Sequence, residues 1–552
     1  MKIKATLLAF LFVITQFSHA QKLSSGPQVL TFFSDADDTE QPYGLYLPKN
    51  YDENKKYPLV IMLHGAGSNH RLALRRVFGK SNSNGETDVE ATRYFPEWKD
   101  IDYIVVSPYA RGTAGYQGIP EKDVYDVLAD VKKRFNIDED RTYLTGLSMG
   151  GGGTLWIGMT RPDIWAAIAP VCPAPPQGTD LLIDNALNLP AHFYHGDKDQ
   201  AVPVTVSRDW TAKLKAMGAH VEYDEYPGVN HDSWVNAYQD EAVFSWFDKF
   251  KRNRFPDRVT YNSNQYKYNK AYWVTFDKLI PGSLAKIDAK FTEPNKLEIT
   301  TASLDAFTLT LQGHPKYESG KPLIVTLDGK KIKTQTSDIV SFSKKDGKWI
   351  NTKWQGSADS KNEKLGGPIK EAFATRHIYV YGTAGNPTPE ELKKRQDIAT
   401  EAANWSFYRG AFLGRIMFFP RIVADKDVRP SDIESSNLIL FGTSETNLLV
   451  DRYKDRLPLH LDNSKTSDHG LFYVYPIDGH YVAVNSGLPW WANSQGQNYR
   501  FPPSFNEVPN LKDFVLFKNS VKEVVVDGYF DDEWKLPAES KSKLMAGGAV
   551  GK

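Results

Sequence analysis

Cysteine is nearly missing from this sequence: Cys172 is the only one in 552 residues. That excludes an intramolecular disulfide and leaves core burial to hold the fold together. Net charge is missing too, with 67 lysines and arginines against 67 aspartates and glutamates and no long run of one sign. A neutral, mixed surface lacks the electrostatic footprint of a nucleic-acid binder. Beyond the first twenty residues no stretch is long and apolar enough to cross a bilayer. No two histidines and a carboxylate share metal-ligand spacing, so neither a metal nor another cofactor is expected.

What is present is length, aromatic residues and a marked amino terminus. A chain of this size exceeds what one hydrophobic core serves, so two or three domains are expected. Aromatics make up 13% of the sequence, a composition that suits surfaces for sugars or phenolics and equally suits cores. Residues 1–20 read as a secretory signal: Lys2 and Lys4 precede the apolar run Ala5 to Phe17, and Ser18-His-Ala20 offers a small-x-small cleavage site before Gln21. Export to a bacterial periplasm or the extracellular space is the expectation. Cys172, on the apolar run from Ala166, reads as a buried small residue.

Residues 21–255 alternate short β-branched runs with amphipathic helices, the pattern of a mostly parallel sheet covered on both faces. Pro58 to Leu63, Tyr103 to Ser107, Thr142 to Thr145, Ala167 to Ala169 and Ala191 to Tyr194 are its expected strands. Val124, Val127, Leu128, Val131 and Phe135 recur at helical spacing, as do Val206, Trp210, Leu214 and Met217, the last followed by Gly218 as a stop. Residues 256–355 carry alternating segments such as Lys296 to Thr300 and Phe307 to Leu311, which predict a small antiparallel β domain. Residues 355–366 are polar and read as a linker. Residues 356–552 hold two strands followed by Gly-Thr, His377 to Thr383 and Asn437 to Thr443, around a helix from Glu390 to Trp405, and predict a second, smaller α/β domain. The Phe441 to Thr446 turn could seat an anion, although strand-to-helix turns need glycine for geometry alone. Pro489 to Ala492 and Tyr499 to Phe501 are aromatic clusters expected to pack against a neighbouring domain rather than stack on a sugar.

The chemistry concentrates in the first domain. Gly146-Leu-Ser148-Met-Gly150 matches the G-x-S-x-G turn that lifts a serine hydroxyl above a sheet between a strand and a helix, and both flanks are present. A serine hydroxyl needs a base to take its proton and a carboxylate to orient that base, in the chain order Ser, Asp or Glu, His. His231, in the loop Tyr226 to Trp234, is the expected base. The turn His195-Gly-Asp197-Lys-Asp199 offers two carboxylates for the acid. His192 and His195 themselves are expected only to pack. The oxyanion donors are expected to be the backbone amides of Met149, after the nucleophile, and of Ala66, in the loop His64-Gly-Ala-Gly67, with His64 shaping that loop.

These pieces resemble the feruloyl esterase, acetylxylan esterase and polyhydroxybutyrate depolymerase group of α/β-hydrolases over about residues 40–250. The matching segments are Pro58 to Gly65, Asp123 to Gly151, His195 to Asp199 and Asn230-His231. The resemblance implies an ester hydrolase on acylated poly- or oligosaccharide. It also selects Asp199 over Asp197, because Gly-x-x-Asp followed by x-x-Val-Pro is the form the acid turn takes in related hydrolases. Some 300 residues behind the hydrolase domain have no counterpart in compact members of the group. Two further readings stand beside it. A peptidase resembling prolyl oligopeptidases has the same triad order, but those enzymes carry a β-propeller ahead of a sheet that only about 20 to 35 mature residues precede here. A glycan-binding protein on a hydrolase scaffold would not require an intact triad.

Overall fold

The computed structural model describes residues 23–334, 336–404, 417–494 and 502–551. The segment read as an export signal lies outside them, as does the Tyr499 to Phe501 cluster. Among the described residues no helix is long and apolar enough to cross a membrane.

The hydrolase unit is built on an eight-stranded sheet. Its strands are β1 (Gly26–Ser34), β2 (Thr39–Leu47), β3 (Tyr57–Leu63), β4 (Ile104–Pro108), β5 (Ile137–Leu147), β6 (Ala167–Val171), β7 (Ala191–Gly196) and β8 (Val221–Tyr226). They lie in the order β1-β2-β4-β3-β5-β6-β7-β8, with the pairs β1-β2 and β2-β4 antiparallel and every later pair parallel. Strand β3, Tyr-Pro-Leu-Val-Ile-Met-Leu, is buried along its whole length, as a central parallel strand must be. Alternation sends Leu59, Ile61 and Leu63 into one core and Val60 and Met62 into another on the opposite face. Helices α1 (Ile119–Arg134), α2 (Met149–Thr160) and α3 (Thr205–Ala216) cover the faces. As expected, Gly218 follows α3 with a positive φ of 82°. The stretch carrying Phe244, Phe247 and Phe250 is a broken helix: Asp240 and Glu241 are left-handed, and the regular part is Ala242–Phe247.

Residues 258–350 form two five-stranded sheets face to face around Val259, Phe276, Ile287, Phe307 and Val325. The expectation of a purely antiparallel domain needs correction, because Lys296–Ala302 pairs in parallel with Ile324–Leu327. The connecting loop at 314–323, pinned by Asn295, carries the chain back across the sheet before it re-enters.

The third unit has a seven-stranded mixed sheet. Arg421–Ala424, His377–Tyr381, Asn437–Phe441 and His480–Gly487 run parallel; His469–Ile477, Phe514–Lys518 and Ser520–Gly528 extend it antiparallel. Its helix α4 (Pro389–Ala402) opens with a capping box from Thr388 and Glu391. Trp490 and Trp491 pack inside this unit, Trp490 stacking on Phe472 at 4.5 Å. Gly442 has φ 121°, and the N–H groups of Leu449 and Val450 beyond it are capped by Asn447. The turn is thus geometric, with its free amides already spoken for. The polar stretch at 355–366 is not simply exposed: Lys361 is 2% exposed and pairs with buried Asp513 beneath the Trp534 ring.

The units are knit together. Arg111, 1% exposed, bonds Asp37 and Asp123 at 2.6 Å each and Ser34 Oγ at 2.6 Å, and reaches the Met417 carbonyl and the Phe418 ring of the third unit. Arg376 of the third unit bonds Asp38 and the Asp35 carbonyl in the turn between β1 and β2.

Candidate active site

Strand β5 ends at Leu147 and α2 begins at Met149, so Ser148 alone makes the turn, at φ 55° and ψ −116°. A side chain in this left-handed region is strained, and the surroundings hold it there. The two flanking glycines follow from crowding. A Cβ on Gly146 would lie 2.4 Å from the Gly150 carbonyl oxygen, and one on Gly150 would lie 2.1 Å from that of Leu63. The Ser148 amide donates to the Val171 carbonyl at 2.9 Å, fixing the turn over the sheet edge.

His231 Nε2 stands 2.9 Å from Ser148 Oγ, and its Nδ1 stands 2.7 Å from Asp199 Oδ2. Three residues far apart in sequence are thereby joined in one hydrogen-bonded chain. The His231 side chain is 25% exposed while that of Asp199 is wholly buried, so the carboxylate is shielded and the imidazole is reachable. Asp199 also accepts from the amides of Ala201 at 2.8 Å and Val202 at 2.9 Å. Burial alone would raise its pKa, but the Val202 amide and His231 outweigh that and hold the carboxyl below its usual range. Asp197 takes another place: its Oδ1 accepts from the Gly228 amide at 2.6 Å and braces the loop that carries His231.

The structure adds a residue that the sequence reading assigned only to packing. His195, fully buried, directs Nε2 at the same Asp199 Oδ2 at 3.1 Å and at the Val202 carbonyl at 3.0 Å, while its Nδ1 meets Ser207 Oγ at 2.8 Å. Two acceptors at Nε2 require the N–H there, leaving Nδ1 to accept from the serine. Burial lowers the His195 pKa, which favours this neutral form. His192 does lie away from the site, on Asp224 and the Tyr194 ring.

The loop at 64–67 lies against Ser148: a Cβ on Gly65 would stand 3.6 Å from that of Ser148. His64 is buried with one ring nitrogen 2.8 Å from the Tyr109 carbonyl and the other 2.8 Å from that of Gly65, and Tyr116 donates to the His64 carbonyl. No hydrogen bond among the described residues uses the amide of Met149 or of Ala66. The Sγ of Cys172 lies 3.5 Å from the His231 carbonyl, and ligand atoms of Cys172, Asp199 and His231 fall within 4.8 Å of one another. Burial pushes the thiol up to about 12, and His231 and Asp199 already bond each other, so this is a poor metal-binding set.

A strained serine at a strand-to-helix turn, hydrogen-bonded to a histidine and through it to a buried carboxylate above a mostly parallel sheet, is the arrangement of serine hydrolases built on the α/β-hydrolase fold. Residues 34–287 match the Esterase family model, so this part of the chain is similar to esterases. Among solved structures, a thermostable esterase is 27% identical with a TM-score of 0.33, over 41% of this chain and 63% of its own. A ferulic acid esterase from Anaeromyces mucronatus in complex with ferulic acid is 20% identical with a TM-score of 0.31, over 42% and 92%. Among curated proteins, dipeptidyl-peptidase 5 of Trichophyton equinum is 31% identical over 124 residues, 20% of this chain. The chain spans about 15% of the length of that relative.

Proposed function

We propose that the chain is an exported serine ester hydrolase in which Ser148 is the nucleophile, His231 the general base and Asp199 the orienting acid. Its proposed task is to remove acyl groups such as acetyl or feruloyl from plant or algal polysaccharide. The observation that carries the reading is the continuous hydrogen-bonded chain from Ser148 Oγ through His231 to Asp199 Oδ2.

In the acylation step His231 Nε2 takes the Ser148 proton as Oγ attacks the ester carbonyl. The charge that develops on the carbonyl oxygen meets the amides of Met149 and Ala66, each such donor being worth roughly a hundred- to a thousandfold in rate. The imidazolium, held by the Asp199 carboxylate, returns its proton to the departing sugar hydroxyl. Water then enters, gives its proton to His231 and releases the acid from the acyl-enzyme.

The test compares the intact protein with Ser148→Ala on p-nitrophenyl acetate, methyl ferulate and natural acylated glycans, with products identified by mass spectrometry. Release of acetate or ferulate that disappears in the variant is the expected result. Equal, negligible hydrolysis by both proteins would refute the proposal. The partial similarity to dipeptidyl-peptidases motivates a second reading, a serine peptidase. Faster cleavage of dipeptidyl p-nitroanilides than of any ester would favour it.

A further inference from the structure

A cavity of about 240 Å³ lies where all three units meet, and the ester chemistry makes no use of it. The hydrolase unit lines it with Gly118 at the start of α1 and Trp156 of α2, the sandwich with Gln265 and Tyr268, and the third unit with Lys370 and Trp490. Aromatic rings thus form part of its wall, and the Lys370 ammonium, the Glu371 carboxylate and the Gln265 carboxamide are set among them.

The charges around Lys370 are unevenly matched. Glu121 and Glu371 pair with Lys267 at 3.3 and 3.7 Å, and Glu121 also accepts from the Tyr268 hydroxyl at 2.6 Å. Lys370 makes no hydrogen bond or ion pair among the described residues, and burial lowers its pKa below the ordinary lysine value. Gln265 is 7% exposed and Trp156 5%, yet Gln265 Oε1 and Trp156 Nε1 lack hydrogen-bond partners. Buried polar groups are ordinarily satisfied. Unmatched groups converging from three units on one void mark the place of a ligand that would match them.

The chemistry of that ligand follows from the walls. Aromatic faces take a ring, the ammonium takes an anion, and the free carboxamide oxygen accepts from a hydroxyl. The volume is below that of sites for drug-sized molecules, which leaves room for one ring and not a chain. We propose that this interdomain cavity binds a carboxylate carried on a six-membered ring. A uronic acid residue of a glycan and an aromatic acid share this chemistry. Lys370 holds the carboxylate, and Trp156, Tyr268 and Trp490 hold the ring.

Isothermal titration of the full chain with glucuronate and benzoate, each against its neutral twin, glucose and benzyl alcohol, tests the site. At least one carboxylate is expected to bind about tenfold or more tightly than its twin, in keeping with a charge-assisted pair. Glucuronate alone would identify a glycan source and benzoate alone an aromatic acid. Lys370→Met is expected to erase the preference and Lys370→Arg to retain it. Should Lys370→Met fail to fold, the wild-type comparison and Lys370→Arg still decide. The Ser148→Ala protein is expected to bind as the wild type does, whether or not the protein proves to be a polysaccharide esterase. Equal binding of charged and neutral twins, no binding of either carboxylate, unchanged binding in folded Lys370→Met, or loss of binding in Ser148→Ala would each overturn the proposal.

Discussion

Asp199 receives hydrogen bonds from two histidines and two backbone amides, whereas Asp197 receives one from a loop amide. An asparagine at 199 would present the wrong partner to His231 Nδ1–H and destabilise the imidazolium, so Asp199→Asn is expected to lower kcat on p-nitrophenyl acetate by about ten-thousandfold. Asp197→Asn, which keeps an acceptor for the Gly228 amide, is expected to stay within a few-fold. The opposite ranking in steady-state kinetics would exchange their roles. His195 adds a subtler effect. Its N–H draws electron density from the oxygen that also serves His231, so His195→Leu leaves more of the carboxylate charge to stabilise the imidazolium. The acid limb of the kcat/KM profile should then move to higher pH, which a pH–rate series on both proteins would read. A limb that stays in place would reduce His195 to a packing residue.

The elements differ in how much they reveal before folding. Strand β3 is legible because an unbroken apolar run bounded by turns has one economical use, and the Gly146 to Gly150 turn is legible because sterics dictate it. The hairpin of β1 and β2 escapes the reading: its first strand is half-buried at every residue from Gly26 to Leu30 and carries no strong alternation there. His195 escapes for another reason, since a bond across a four-residue turn depends on the turn's shape and not on spacing. The cavity wall, drawn from residues 118, 265 and 370, is invisible to any local pattern. Within the third unit, His377 shows what burial does to a strand: it pulls the ring's pKa down to about 4 from 6.5. The native state therefore resists a proton that the unfolded chain accepts. Stability is whole above pH 6.5 and falls as pH drops toward 4, by about 3 kcal/mol at the lower end. Thermal melts across that window should show a smaller loss for His377→Gln than for the wild type, and identical pH slopes would contradict the assignment.

At the scale of the molecule the three units are not beads on a string. Tyr261 of the sandwich bonds the Thr160 carbonyl at the end of α2, Asn262 bonds Asn185, and Arg111 joins the β1–β2 turn to Met417. A chain ending at residue 255 would uncover the α2 side of the hydrolase core, so it is expected to aggregate or melt well below the full protein in a thermal-shift assay. Equal melting temperatures would show the first unit to be autonomous. Arg111→Met should be costly as well, roughly 3–5 kcal/mol, because it strands two buried carboxylates beside each other. The strained turn at Ser148 has its own bearing on the whole. Glycine would adopt φ 55° without a Cβ penalty, so Ser148→Gly is expected to raise the melting temperature while abolishing turnover, the relief being about 1 kcal/mol. A screen that rewards heat resistance alone would thus enrich inert proteins from a mutant library, and directed evolution of the proposed activity has to score durability and turnover together at every round.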